Sequence, residues 1–566
     1  MSRRRHWDLP WEEFFATLKP HERPVMPGSP STPDHTMPWR LAYGLVGALV
    51  TMTGSLGNAA VTANQPQLAG SLGVTLTEAA WLPVIFVMTN ASMNLLLVKF
   101  RLQYGLRLFA EIMLIVFLAA ALAHLFLQDF VSTLVVRGVA GIAAAGMTTL
   151  GILYIIQAFP PKHRLKSIVL GVGLSSLAIP LARLGVSSLL DRDLWRAFYM
   201  FEVGLVLVTL AAVFALKMPP AQRIKSFEPQ DFITFALFAP GMALLSAVLG
   251  LGRIVWWLEA PWVGWALAAA VLLLAAAAIH EYNRVNPLID LRWLAGRDIV
   301  RLMLAILLVR IVLSEQTTGA VGFLQQMGLG NDQMHDLFWV MLAATAAGSL
   351  VSAFTMDPTK LWKPISTALA LIAVGAYLDS HATVLTRTSE LYLSQALLAF
   401  AAVFFIGPTM IIGFGKVLQG GGKSFISFIS FFALCQNVGG LMGSALIGTV
   451  QTLREKFHSN QLAESIGLGD PETVQRLQQL SGAYAHVIDD PALRQAAALR
   501  QLHQQVSQQA QVLAYNDVFL MIAVVAAVGA VWVAVNHYRP RIEALCLRRR
   551  DAAASRQTTA PAPSAE

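Results

Sequence analysis

From Trp39 onward the chain alternates long apolar runs with short polar connections. Fourteen runs reach the roughly 20 residues that a helix needs to cross a hydrocarbon core about 30 Å thick. They fall near residues 40–62, 79–98, 107–127, 131–157, 168–190, 195–217, 232–252, 262–280, 299–324, 336–356, 363–379, 391–413, 425–450 and 515–536. The pattern predicts an all-α polytopic membrane protein with 14 transmembrane helices, and the even number puts both termini on one side. Composition agrees. With 56% hydrophobic residues, 13% charged residues and a mean hydropathy of +0.58, a chain of 566 residues is too apolar to be a soluble globular protein.

Charge then sets the expected orientation. The net charge of +8 is spread over short connections rather than gathered on one face, so topology and lipid head groups account for it better than nucleic acid does. Placing both termini in the cytoplasm puts most Lys and Arg residues there, and leaves only Arg192, Arg196, Arg253 and Arg387 in the short outer connections. Residues 1–38 begin with three arginines, are rich in proline and contain no apolar core; they read as an uncleaved, mobile cytoplasmic tail. Residues 539–566 form a second cytoplasmic tail. The two cysteines, Cys435 and Cys546, provide neither a disulfide framework nor a metal site, and no cofactor is expected.

One hydrophilic stretch, 452–514, belongs outside, as a long periplasmic loop. It holds two helix starts, Asp470-Pro471-Glu472 and Asp490-Pro491-Ala492, each with an Asp cap before a proline. After the second, Leu499, Leu502, Val506, Ala510 and Leu513 make a narrow apolar stripe, suited either to a partner helix or to another part of the same loop.

The fifth and sixth runs carry charge inside apolar sequence. Arg183 and Glu202 lie at similar depth on what should be adjacent antiparallel helices, closed by a turn at Asp191, Arg192 and Asp193. Unpaired, each would cost from about 2.5 kcal/mol to well over 10 kcal/mol in hydrocarbon, so the two are expected to neutralise each other. The pair is either a proton-coupling site or a permanent structural ion pair. Pro180, one turn before Arg183, removes a backbone hydrogen bond and is the candidate hinge.

No phosphate-binding loop is present, so an ATP-driven pump is not indicated. An ordered set of stretches instead resembles the major facilitator superfamily, in particular its fourteen-helix drug:proton antiporters of the EmrB/QacA type. These are LAGSLGVTLTEAAW (Leu68–Trp81), RGVAGIAAAG (Arg137–Gly146), PPKHRLKSI (Pro160–Ile168), WRAFYMFEVG (Trp195–Gly204), NPLIDLRWLAGRD (Asn286–Asp298) and LHQQVSQQAQVLAYNDVF (Leu502–Phe519). The departures are local. The loop motif GxLaDRxG survives only as VKFRLQYG (Val98–Gly105), with Leu102 in place of the Asp. The antiporter motif of helix 5 keeps Pro180 but has Arg183 and Leu184 for its paired glycines. Gly57 stands where relatives often carry an acid in helix 1, and Glu202 where they usually carry Asn.

The resemblance implies a major facilitator fold: a first six-helix bundle over 39–218, a two-helix insert over 231–281 and a second six-helix bundle over 299–538, enclosing a cavity near the midplane. It implies proton-coupling candidates Glu202, Arg183 and Glu315, and cavity candidates Arg137, Arg310, Asn58 and Asn64. It implies no enzyme activity but a proton-driven efflux transporter of the bacterial inner membrane, exporting amphipathic drugs or aromatic or fatty weak acids. By the same resemblance, Leu499, Leu502, Val506 and Leu513 would dock a periplasmic adaptor (a membrane fusion protein) leading to an outer-membrane channel. A proton-coupled importer or siderophore carrier of the same fold, and a transport-dead scaffold or sensor, remain open at this point.

Overall fold

The computed structural model describes residues 11–24, 29–127, 129–190, 195–357, 359–420, 424–467 and 470–558. Among them the chain is helical throughout, with one β-bridge between Pro30 and Ala221. A short α1 (Trp11–Thr17) precedes α2 (Met37–Ala63), the small helices α3 (Gln65–Leu72) and α4 (Leu76–Ala79), and then α5 (Trp81–Tyr104), α6 (Leu106–Phe126) and α7 (Phe130–Gln157). The fifth predicted run is split into α8 (Arg164–Ser176) and α9 (Ala178–Leu190), followed by α10 (Trp195–Ala215), α11 (Pro229–Leu251), α12 (Pro261–Tyr282) and the short α13 (Leu291–Leu294). The remainder comprises α14 (Arg297–Val312), a π-helical turn (Glu315–Ala320), α15 (Val321–Gln326), α16 (His335–Thr355), α17 (Trp362–Asp379), α18 (Tyr392–Gln419), α19 (Phe425–Ser465), α20 (Pro471–Ala483) and α21 (Pro491–Thr558).

Twelve helices among the described residues are long and apolar enough to cross a membrane. The other two predicted runs are helical but fall short of that. The run near 299–324 is interrupted by the π-helical turn at Glu315, and the run near 363–379 is the 18-residue α17, with Lys363 and Asp379 at its two ends. Large apolar side chains such as Trp265, Leu272 and Ile279 on α12 stay exposed, as lipid-facing residues do.

Two large apolar cores organise the helices. One gathers Tyr43, Phe86, Phe109, Phe117, Leu150 and Val206 from α2, α5, α6, α7 and α10. The other gathers Ile306, Ile372, Phe405, Phe428 and Ile522 from α14, α17, α18, α19 and α21. Ile168 and Val172 of α8 join this second core, although α8 is contiguous with the first group of helices. Small residues let the two groups approach: a Cβ at Gly173 would collide with Ser349, and one at Gly407 would meet Val169 at 2.7 Å.

The helix pair α11 and α12 is fastened by buried charge. Lys99 Nζ lies 2.8 Å from both carboxylate oxygens of Asp231, and Arg284 reaches Asp231 at 2.8 Å, Glu281 at 2.6 Å and Glu228 at 3.0 Å. Lys99, Asp231, Glu281 and Arg284 are almost fully buried. Each lost hydration shell is thus replaced by charge-assisted hydrogen bonds. The Glu281 carboxylate also accepts from the backbone N–H of Leu288, which pins the connector after α12. Asp290 continues that connector to Ser424 and Ser427 at the start of α19.

The N-terminal segment is not a loose tail where it is described. Phe14 and Leu18 are buried, Gln157 donates to the Ser31 carbonyl, and Arg164 donates to the carbonyls of His21 and Thr32. Buried Glu22 accepts from the backbone N–H groups of Lys19 and Asp34 and so folds the segment on itself.

The long hydrophilic loop is a helical protrusion. The 41 residues of α19 span roughly 60 Å, about twice the apolar core. Both predicted helix starts are present: Asp470 caps α20 through the N–H groups of Glu472 and Thr473, and Asp490 accepts from Ala492 ahead of α21. The last predicted span and the end of the loop merge into one 68-residue helix. Leu480 of α20 is buried, as are Ala498, Ala510 and Val512 of α21. At the base, Asp517 holds Arg454 at 2.5 Å and His458 at 2.6 Å.

Candidate functional site

Three polar constellations lie inside the apolar body. The first belongs to α2, α6, α7 and α10. Arg137 is 1% exposed; its Nη2 donates to Asn58 Oδ1 at 2.9 Å, and its guanidinium stands 5.0 Å over the Phe86 ring. Glu202, 5% exposed, turns its carboxylate onto the backbone of α2 at Gly57. A Cβ at position 57 would collide with Glu202 Oε1, so the glycine is what admits the acid. The other oxygen, Oε2, has no hydrogen-bond partner, and Arg137 acts on Glu202 through its charge without forming a direct ion pair. His124 stacks on Tyr199 beside them, with ring centroids 4.6 Å apart.

The second constellation joins the two groups of helices. Arg183 Nη1 donates to Asn331 Oδ1 at 3.2 Å and packs its guanidinium 5.2 Å from the Phe338 ring centre. Asn331 Nδ2 donates in turn to Asn64 Oδ1 at 3.0 Å and to the Ala63 carbonyl at 3.1 Å. All three residues are buried. The result is a polar latch from α9 through the connector before α16 to the end of α2.

This arrangement corrects the expected Arg183–Glu202 pair. The two residues face different partners at different levels of α2: Glu202 faces Arg137 and α2 at Gly57, whereas Arg183 faces Asn331 beside Asn64 at the end of α2. Position along each run is readable from spacing; rotation about each axis depends on packing across the whole bundle. The turn at Asp191 to Asp193 lies outside the described residues. Pro180 falls just after the break between α8 and α9. Its missing N–H leaves no bond to Ser176, while Leu177 N–H donates to Leu174 and Leu181 N–H to Leu177.

The third constellation surrounds Glu315 at the start of the π-helical turn. Gln395 Nε2 donates to Glu315 Oε1 at 3.2 Å, to Glu315 Oε2 at 3.3 Å and to Asp379 Oδ2 at 2.8 Å. Glu315, Gln395 and Asp379 are buried. Arg310, five residues earlier, does not join them; its Nε donates to the Gln436 carbonyl at 3.2 Å and its side chain lies over Gly439 and Gly440. Asn90 bridges helices: it donates to the Gly141 carbonyl and accepts from Asn437 across the two groups.

Several partners were not singled out from sequence: Asp379, Gln395, Asn331 and the Lys99–Asp231–Arg284–Glu281 network. Asp379 had a signal, an acid closing an apolar run. The others look like ordinary residues of connections and helix ends. Of the proposed docking stripe, Leu499 and Leu513 are exposed and Leu502 and Val506 half-buried, because the hairpin buries the neighbouring alanines instead.

Comparison with known proteins agrees with this architecture. The family model described as Major Facilitator Superfamily matches residues 47–444. The chain is 22% identical over 519 residues to the multidrug export protein EmrB of Escherichia coli, covering 87% of this chain and 94% of that one. It is 21% identical over 493 residues to the probable multidrug resistance protein EmrY of the same species, covering 86% and 92%. Among solved structures it resembles an auto-inhibited POT family peptide transporter (TM-score 0.52, 15% identity, 88% of this chain and 97% of that one). It also resembles the human organic anion transporter MFSD10 (TM-score 0.51, 13% identity, 87% and 100%).

Proposed function

The chain belongs to the major facilitator superfamily and is a multi-pass membrane transporter rather than an enzyme; from that premise we propose that it is a proton-driven exporter in which Glu202 and Arg137 couple proton and substrate. The observation that carries this reading is the place of the Glu202 carboxylate: it fills the side-chain volume of Gly57 on α2, buried beside a cation that it does not directly pair with. A carboxyl whose distance to a guanidinium differs between two states of the cavity takes up and releases a proton as the states exchange. Arg137 is held to α2 by Asn58, so movement of α2 against α10 changes that distance.

The charge of the short connections supports a cytoplasmic side at the basic ones, and on that orientation the α19–α21 protrusion lies outside an inner membrane. With its exposed Leu499 and Leu513, the protrusion serves as the docking element for a periplasmic adaptor and, through it, an outer-membrane channel. The names of the relatives support export, and the buried arginines favour amphipathic or weakly acidic aromatic cargo. The test uses inverted vesicles carrying the full chain, with ethidium and fluorescein as probes. An acid-inside gradient should drive at least one probe inward and Glu202→Gln should abolish that drive; gradient-independent movement, or flux in the opposite sense, rejects the reading. Deleting residues 470–512 should abolish export from whole cells but leave vesicle flux intact.

A further inference from the structure

Glu315 and Asp379 differ from Glu202 in having no cation among them. One NH₂ group, that of Gln395, reaches both acids, at 3.2 and 3.3 Å to the Glu315 oxygens and 2.8 Å to Asp379 Oδ2, and so brings the two carboxyl groups side by side. Two ionised carboxylates repel each other and can only accept hydrogen bonds, so a buried pair held together by one amide group favours a proton on one of the two.

Among the described residues, the neighbouring elements bring no cation onto the pair. On α14, Arg310 is committed to α19. From α19, Gly443 approaches Ser314 and Ser444 bonds Thr318. From α18 come Ser394 and Gln395, and from α21 Phe519 and Tyr515, whose ring lies next to Gly322 and whose charged neighbour is Arg253. Among the described residues, the titratable groups facing the pair are its own two acids and, further off, Tyr515. The acid sits on the first residue of a π-helical turn, a backbone form that departs from the regular ladder and recurs at functional positions.

We propose that Glu315 and Asp379 hold a single proton between them and form a second proton-binding site, separate from Glu202 and carried by the other group of helices. Protonation converts the doubly ionised pair into one carboxylate and one carboxylic acid bonded to it, with Gln395 donating to both; deprotonation returns the proton to water and forces the acids apart. That the proton contributes to transport rests on the proton-driven reading above, whereas its binding does not. With Glu202, two protons could then be moved per cycle.

The experiment is infrared difference spectroscopy of the purified full chain during a pH jump, following the carbonyl stretch of buried carboxylic acids, with Glu202→Gln as the reference. A shared proton predicts a band that is lost in the Glu315→Gln/Asp379→Asn double variant and shifted in both single variants. The Glu202→Gln chain should retain it. A band that keeps full amplitude in the double variant, or stays unmoved in Asp379→Asn, overturns the proposal. Monodispersity on gel filtration establishes that each variant is folded. Failure of the band test leaves the vesicle-flux test of Glu202 untouched, and failure of the flux test leaves the band test standing.

Discussion

The carboxylate of Glu202 on α10 occupies the volume that any side chain at Gly57 on α2 would need. An acid supplied by one helix therefore stands at the surface of another, where many relatives of the resembled family place it on helix 1 itself. If the position rather than the parent helix matters, moving the acid should preserve function. Glu202→Ala should lose gradient-driven flux, and Gly57→Asp/Glu202→Ala should recover part of it. Gly57→Asp alone should cost about 1–3 kcal/mol in stability by overpacking against Glu202. Recovery no better than Glu202→Ala, measured in the same vesicles, would refute positional equivalence.

Arg137 balances Glu202 and satisfies Asn58 at once. Removing it leaves a buried acid without its cation, and such losses run to about 3–5 kcal/mol. Arg137→Ala should therefore be more destabilising than Arg137→Ala/Glu202→Ala. Thermal or denaturant unfolding in detergent gives the cycle; a coupling below about 0.5 kcal/mol would mean that the two residues act independently.

The latch of Arg183, Asn331 and Asn64 ties the two groups of helices together on one face. Opening that face requires breaking it. In a background without Cys435 and Cys546, Asn64→Cys/Asn331→Cys joined by a short reducible cross-linker should stop flux, and reduction should restore it. Unchanged flux in the fully cross-linked protein would show that this contact survives the cycle.

The network around Arg284 carries a signed pH dependence. Hydrogen bonds from Asn286 and then Arg284 hold the Glu228 carboxyl below its usual range. Burial works against the Arg284 charge, but hydrogen bonds to Glu281, Asp231 and Glu228 outweigh it and push its pKa up. Because Glu228 is depressed, its contribution is complete above the ordinary value of about 4.3 and is lost as pH falls through the lowered one. Wild type should thus melt above Glu228→Gln at neutral pH, and the two curves should converge as the pH falls through the lowered value. Arg284→Met, which strands Glu281 and leaves Asp231 with Lys99 as its one cation, should cost about 3–5 kcal/mol at neutral pH.

The sequence by itself determined the elements. Runs of about twenty apolar residues leave the backbone no option in lipid but a helix, an Asp before a Pro starts α20 and α21 where expected, and Pro180 interrupts its helix because it lacks an N–H. That Arg137, Arg183, Glu202 and Glu315 lie inside apolar helical runs was likewise readable by counting residues. The partners were not. Tertiary structure alone decided that Glu202 faces Gly57 and Arg137 rather than Arg183, that Arg183 reaches Asn331, about 150 positions away in the chain, and that Glu315 shares the Gln395 amide with Asp379. The reason is geometric: rise per residue sets how deep a side chain lies, but the rotation of each helix follows from where small residues such as Gly57, Gly173 and Gly407 let its neighbours approach.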